Sequence, residues 1–326
     1  MLIAFGGGGG PVTRLDDVTN AETLRAAIWI DMRDPTEQEV RMVTEATGLR
    51  VPTQDEVSEI EASSRLVLRE NVLYLSMPLI TIADGPRVVS AGFVLAPDRL
   101  ITVRFATRLV FDAFIDRLPA GDTPLDSGAH VLMGLLGAIV DRQADALERI
   151  HSVLDTISRR VFALAGVGRA GRKIEDRILR DTLAELGRNG DLISHIRESQ
   201  LGAARLLPFI EANTADWLPA EVRSGLATLR DDIVSLNDFD THLSDKLQFL
   251  LDATLGFINI AQNDVIKVLT IASVVGIPPV LITGVYGMNF KNIPEYDWSF
   301  GYQFGWAMII LTALIPLVIF RWRKWI

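Results

Sequence analysis

The side chains best suited to handling an ion stand together near the end of the chain, in Tyr286-Gly287-Met288-Asn289-Phe290. Asn289 contributes a carboxamide. This neutral dipole can hydrogen-bond the water shell of a cation and lend it partial negative charge without holding it too tightly for release. Gly287 lets the backbone turn and approach closely, and Met288 is unbranched and adaptable. A few residues on, Glu295 and Asp297 are placed to concentrate cations by their field rather than by ligation.

Other chemistries find little support. There is no cysteine, so disulfides and thiolate metal sites are excluded. His130, His151, His195 and His242 all precede residue 265, and no HExxH motif, Ser/His/Asp arrangement or nucleotide fingerprint is present. Gly6 to Gly10 is a glycine run, but Pro11-Val12-Thr13 follows it rather than the Gly-Lys-Ser/Thr that a phosphate loop requires, so a turn or flexible segment is expected. Met1 to Phe5 is too short and lacks the basic lead of a signal peptide. No enzyme and no organic cofactor are expected.

The elements that must position the triplet are membrane spans. Val265 to Val285 is apolar except for Lys267, Thr270, Ser273, Pro278, Pro279 and Thr283, and Phe304 to Phe320 carries no charge. About 20 helical residues cross a hydrocarbon core of ~30 Å. We therefore expect spans at about 265–286 and 302–321 with an outer loop at 287–301. Lys267, Arg321, Arg323 and Lys324 form a basic cytoplasmic mouth, which puts both termini in the cytoplasm and the loop outside. Trp298, Tyr302, Trp306, Trp322 and Trp325 are interfacial anchors. From Val265 onward five basic and two acidic residues give +3, which leaves −12 on residues 1–264 of a chain at −9. So acidic a soluble part suits divalent cations and disfavours nucleic acid.

Upstream, residues 1–126 predict a cytoplasmic α/β domain. Ala27 to Ile30, Val72 to Ile82, Val88 to Leu95 and Leu100 to Phe105 are β-like, and helices are expected after a cap-like Asp34 and after Pro52. Residues 127–218 predict a hairpin of two long helices broken at Gly166 to Gly171, with Leu132, Leu135, Leu136, Ile139, Leu147, Ile150, Leu154 and Ile157 on one face. Residues 219–264 predict a stalk helix whose seam runs Leu226, Leu229, Ile233, Leu236, Asp240, Leu243, Leu247, Leu250, Thr254, Phe257 and Ala261. No proline falls between Glu221 and Ile277, so stalk and first span can be one helix on the order of 100 Å long. Half of such a seam could be filled by the hairpin, and the rest calls for copies of the same chain.

Two spans per chain cannot enclose a conduit, so a closed ring of chains is the minimal solution. The axial face of the first span would be Asn263, Ile266, Leu269, Thr270, Ser273, Ile277, Val280, Leu281 and Gly284, leading to Met288 and Asn289. Leu269 and Ile277 could close the path by dewetting. Mg²⁺ gives up water reluctantly, so an amide ring that accepts the hydrated ion suits it. A divalent ion entering a negative interior gains about 4.6 kcal/mol per 100 mV, so no ATP motif is needed.

A Gly-Met-Asn triplet between two spans resembles the CorA family of divalent-cation transporters. The likeness extends over Asp252 to Asn263, Pro278-Pro279, the loop from Met288 to Tyr302, the closing Arg323-Lys324-Trp325-Ile326, and upstream over Trp29-Ile30-Asp31, Asp34-Pro35-Thr36 and Glu59 to Arg65. It implies an α+β membrane protein assembled as a funnel-shaped homopentamer in the inner membrane, with Gly287, Met288 and Asn289 as selectivity entrance. It also implies gated uptake of hydrated Mg²⁺, with Co²⁺ and Ni²⁺ as further cargo, and feedback by cytoplasmic Mg²⁺ bound at acidic sites between subunits. Asp231 and Asp232 stand near the expected height. The chain departs from the pattern at Val280, where many members have Thr, and at Ile266 and Ile277, where some have Met. The zinc-transporting ZntB branch, thought to be proton-coupled, is the alternative. A membrane-anchored sensor would need an outer domain larger than this loop.

Overall fold

The computed structural model describes residues 1–6, 13–15, 18, 20–59, 61, 65–81, 85–106, 110–118, 126–164, 172–289, 293–323 and 325. The expectations for Gly7 to Gly10, for the break at 166–171, for Phe290 and for Lys324 lie outside the described residues. Two compact units emerge: residues 1–160 with 183–250, and residues 161–182 with 251–326.

The first unit is built on a seven-stranded sheet, with β1 (Leu2–Gly6), β2 (Thr13–Arg14), β3 (Trp29–Arg33), β4 (Leu66–Arg69), β5 (Val72–Thr81), β6 (Arg87–Leu95) and β7 (Leu100–Arg104). The strand order is β2-β1-β3-β7-β6-β5-β4, and β3–β7 is the parallel pair. These two central strands are buried almost throughout, which is why they read as continuous apolar runs rather than alternating ones. One sheet face packs on helices α1 (Ala21–Ala26) and α2 (Glu37–Thr47), around Leu24, Ile30, Met32, Val43 and Val94. The other, with Trp29, Met77 and Phe93, joins α4 (Val110–Arg117), α5 (Gly128–Leu164), α6 (Arg172–Asn213) and the start of α7 (Ala220–Tyr286). The short α3 (Gln54–Ser58) lies between α2 and β4 in sequence.

Asp34 does not cap α2. Thr36 does: its side chain accepts from the Glu39 amide, and Glu39 reaches back to the Thr36 amide 2.8 Å away. A neutral hydroxyl paired with Glu three residues on closes this box, while Asp34 sits at φ 42 in the turn before Pro35. The first central strand also begins later than expected, at Trp29, because Ala27 still closes α1. The family-like Trp29-Ile30-Asp31 has a structural role here. Asp31 is fully buried opposite Thr102, accepts from its hydroxyl at 2.7 Å and from Arg104 Nη2 at 2.8 Å. Arg104, also fully buried, reaches Asp112 at 2.9 Å and lies over Phe111. Burial works against the Arg104 charge, but Asp112 and Asp31 outweigh it and hold its pKa above the ordinary value.

Leu132, Leu135, Leu136, Ile139, Leu147, Ile150, Leu154 and Ile157 are all buried along α5, as a 3.6-residue period demands. The seam of α7 is buried at Leu226, Ile233, Asp240, Leu243 and Leu250, and Lys246 Nζ ties it to Asp155 of α5 at 2.5 Å. Asp240 is the odd member: fully buried, with Oδ2 2.6 Å from Arg197 Nε of α6 and Oδ1 lacking any partner among the described residues. Burial pushes its carboxyl above the usual range, and Arg197 only partly offsets this.

The second unit holds the remainder of α7, a 3₁₀ turn at Pro294–Asp297 and helix α8 (Gly301–Trp322). Stalk and first span are thus one unbroken element of 67 residues.

Candidate functional site

Both α7 and α8 are long and apolar enough to cross a membrane, and none of their most apolar windows is buried inside the chain. On α7 the side chains expected to line an axis are among the most exposed: Ile266, Leu269, Ile277, Val280 and Leu281 each show about 60–70% of their surface (59%, 67%, 63%, 70% and 65%). Asn263 and Gly284 are exposed, Thr270 and Ser273 half-buried. Apolar exposure on this scale requires either lipid or other chains. The Thr270 hydroxyl donates to the Ile266 carbonyl at 2.8 Å, so it keeps a partner within the helix.

Two features of α7 bear on the path beyond what the spacing of its residues suggests. Pro278 and Pro279 sit inside the helix and remove the donors that an ideal helix aims at the carbonyls of Val274 and Val275. At membrane depth, backbone carbonyls so released are tolerated where they meet protein or a water-filled cavity. The tandem prolines themselves are the signal in the sequence. One turn later the Thr283 hydroxyl donates to the carbonyls of Pro279 and Val280 at 3.1 and 2.9 Å.

The helix ends at the triplet. The Gly287 amide still donates to Thr283 and the Met288 amide to Val285, after which the ladder stops. Gly287 is not at a positive φ; what favours glycine there is close approach. A Cβ there would lie 3.0 Å from the Thr283 carbonyl oxygen. Met288 and Asn289 are exposed beyond the last turn. Gly301, at the start of α8, is more constrained, since a Cβ there would collide with the Glu295 carbonyl oxygen. The backbone therefore closes tightly from the 3₁₀ turn onto α8, with Trp298 against Phe300 and Phe304 at ring distances of 5.2 and 5.4 Å. Glu295 is half-buried or less and Asp297 exposed in that turn. Tyr302, Trp306 and Trp322 project at 79%, 52% and 83% exposure, as interfacial anchors should.

The basic residues divide. Arg321 is in the last turn of α8 and Arg323 caps it, while Lys267 is paired with Asp264 at 3.7 Å along α7. Asp231 and Asp232 belong to the first unit and are exposed, Asp231 lying 3.8 Å from Arg230. Among the described residues no group of three or more His, Cys, Asp or Glu could hold a metal within one chain.

A family model described as CorA-like Mg2+ transporter protein matches residues 25–324. The chain belongs to this family. It is 32% identical to the magnesium transport protein CorA of Pectobacterium atrosepticum and 31% identical to that of Salmonella typhimurium, with all of both chains covered in each case. The complete CorA magnesium transporter structure of Methanocaldococcus jannaschii superposes with a TM-score of 0.77 at 19% identity, covering 100% of this chain and 99% of that one. The full-length CmaX protein superposes with a TM-score of 0.70 at 17% identity, over 100% and 98%. The fold expected from the sequence, an N-terminal sheet domain and a long helix running on into the first of two apolar helices, is therefore the family fold. The curated relatives are transport proteins, and the two apolar helices place this chain in a membrane.

Proposed function

We propose that the chain is one subunit of a homopentameric, gated importer of hydrated Mg²⁺, which also passes Co²⁺ and Ni²⁺, in the inner membrane with both termini cytoplasmic. The observation that carries this reading is that a single helix runs from the soluble seam through an apolar segment and stops on Gly287-Met288-Asn289, the residues whose chemistry fits a water-clad cation. Full-length similarity to proteins named for magnesium transport adds to it.

In this reading Asn289 carboxamides ring the outer mouth and hold the ion's first shell of water, while Glu295 and Asp297 raise the local cation concentration. The exposed faces at Leu269 and Ile277 form the constrictions. Carbonyls released by Pro278 and Pro279 offer further dipoles to the hydrated ion on its way. Lys267, Arg321, Arg323 and Lys324 mark the cytoplasmic end. Mg²⁺ is both cargo and regulatory ligand. In this reading the regulatory site lies between subunits, with Asp231 and Asp232 among its acids.

Ion flux into liposomes holding the purified protein tests this, comparing Mg²⁺, Co²⁺, Ni²⁺ and Zn²⁺ with and without a pH gradient. We expect Mg²⁺ uptake driven by membrane potential and abolished in Asn289→Ala, with assembly intact. Wild-type flux in that variant would reject the entrance, and proton-dependent Zn²⁺ uptake exceeding that of Mg²⁺ would reject the choice of ion.

A further inference from the structure

A cavity of about 300 Å³ opens on the face of the first unit's sheet that meets α3, at the edge formed by β4 and β5. Its floor is Val67 opposite Tyr74, a directly paired couple of the antiparallel ladder. Side chains alternate along a strand, so Arg69 shares the face of Val67, and Ser76 shares that of Tyr74. Arg65, immediately before β4, and Arg50, before α3, complete a lining of three arginines against two acids, Glu56 and Glu59. In a soluble part at −12 such convergence is out of character.

The charges are unequally engaged. Arg50 pairs with Glu56, whose carboxylate is further occupied by capping Thr53 at 2.9 Å. These bonds hold Glu56 ionised, its pKa below the usual value. Arg65 donates to the Glu59 carbonyl, a neutral partner. Among the described residues neither Arg65 nor Arg69 has a carboxylate within ion-pair distance. The Ser76 hydroxyl, on a residue 8% exposed in the cavity wall, has no hydrogen-bond partner among the described residues. A buried hydroxyl left unbonded costs free energy that a ligand oxygen would recover.

We infer that this cavity is a binding site for a polyphosphate anion. Two guanidinium forks without carboxylate partners match the oxygens of successive phosphoryl groups, the fork being the donor geometry best fitted to phosphate. Arg65 just precedes β4 and Arg69 ends it, and their long side chains can close around a ligand larger than a lone phosphate. The cavity has the volume of a small-molecule site, and Tyr74 is part of its lining. The site lies wholly within the first unit and stands whether or not the ion path is as proposed.

Calorimetric titration of the full-length protein in detergent, in metal-free buffer, tests it with two probes, inorganic pyrophosphate and ADP. We expect binding of at least one probe at one site per chain. Arg65→Ala and Arg69→Ala should each weaken it about tenfold or more, and Ser76→Ala severalfold, as losses of charge-assisted and ordinary hydrogen bonds respectively. Arg188→Ala, exposed on α6, should leave it unchanged. ADP tighter than pyrophosphate names a nucleotide; equal affinities name the phosphoryl groups alone. No binding of either probe at millimolar concentration would overturn the inference, as would wild-type affinity in both arginine variants.

Discussion

Asp240 occupies a position in the α7 seam where leucine would be ordinary, between buried Ile233 and Leu243. Its carboxylate has one cation, Arg197 Nε at 2.6 Å, and one oxygen with no partner among the described residues. Removing one member of a buried pair leaves an uncompensated charge and costs about 3–5 kcal/mol, but Arg197 is 45% exposed and screened, so Arg197→Ala should cost nearer ~2 kcal/mol. Asp240→Leu removes the charge and buries an apolar side chain in its place, worth about 1.5–3 kcal/mol. The double variant should therefore recover wild-type stability or exceed it. In thermal unfolding of the full-length protein followed by circular dichroism, Arg197→Ala should lower Tm by roughly 4–8 °C, and Asp240→Leu should cancel that loss. The pH dependence has a definite sign. The carboxyl of Asp240 titrates above its ordinary 3.8 in the folded chain, so its native state binds the proton more tightly than the unfolded chain does. Stability from this group is greatest below that ordinary value and is lost as pH rises through the folded one; Asp240→Leu should flatten this part of the profile. If Arg197→Ala costs as much in the Asp240→Leu background as in the wild type, the buried charge is not what Arg197 answers, and the reasoning fails.

Other consequences are simpler to state. Gly287→Ala brings a Cβ to 3.0 Å from the Thr283 carbonyl, so we expect impaired flux with normal assembly, and Gly287→Val should be worse; unaltered transport in both would show that close approach is not required. Arg104→Ala strands fully buried Asp31 and should destabilise the fold by about 3–5 kcal/mol in chemical unfolding, more than any exposed arginine substitution. The proposed ring predicts an oligomer, so light scattering of detergent-solubilised protein that finds only single chains would contradict it.

Much of the fold is legible because period and length speak without help from distant residues. The apolar repeat of α5, the β-branched runs of β5 to β7 and the proline-free stretch into the first span each follow from local pattern alone. What escapes is set by partners far along the chain. β1 is a short N-terminal stretch that becomes a strand only because Leu2 to Phe5 pair with Trp29 to Met32. β4 is an edge strand of four residues, Leu66–Arg69, whose apolar run is too short to show a period of its own. The α2 cap is open to misreading because Asp34 and Thr36 are both good caps in isolation. Only the reciprocal bond from Glu39 selects the threonine.

The proposed entrance is legible for a different reason. A triplet at the boundary between an apolar run and a polar loop carries its own coordinates, since a helix that must cross lipid has few places to stop. The acidic pair Asp231 and Asp232 has no such frame: exposed acids on a helix look alike whether they bind a metal or only water, and the described residues of a single chain supply no third ligand to tell them apart. Reading sites that form between copies requires knowing which faces meet. On α7 that information is partly present in what is left uncovered. Ile260 and Ile266 are about 60% exposed (60% and 59%), with Val234 at 57% further up the helix. In a soluble stalk Val234 has no lipid to face. In the proposed ring, the surface that would cover it is the same helix of a neighbour.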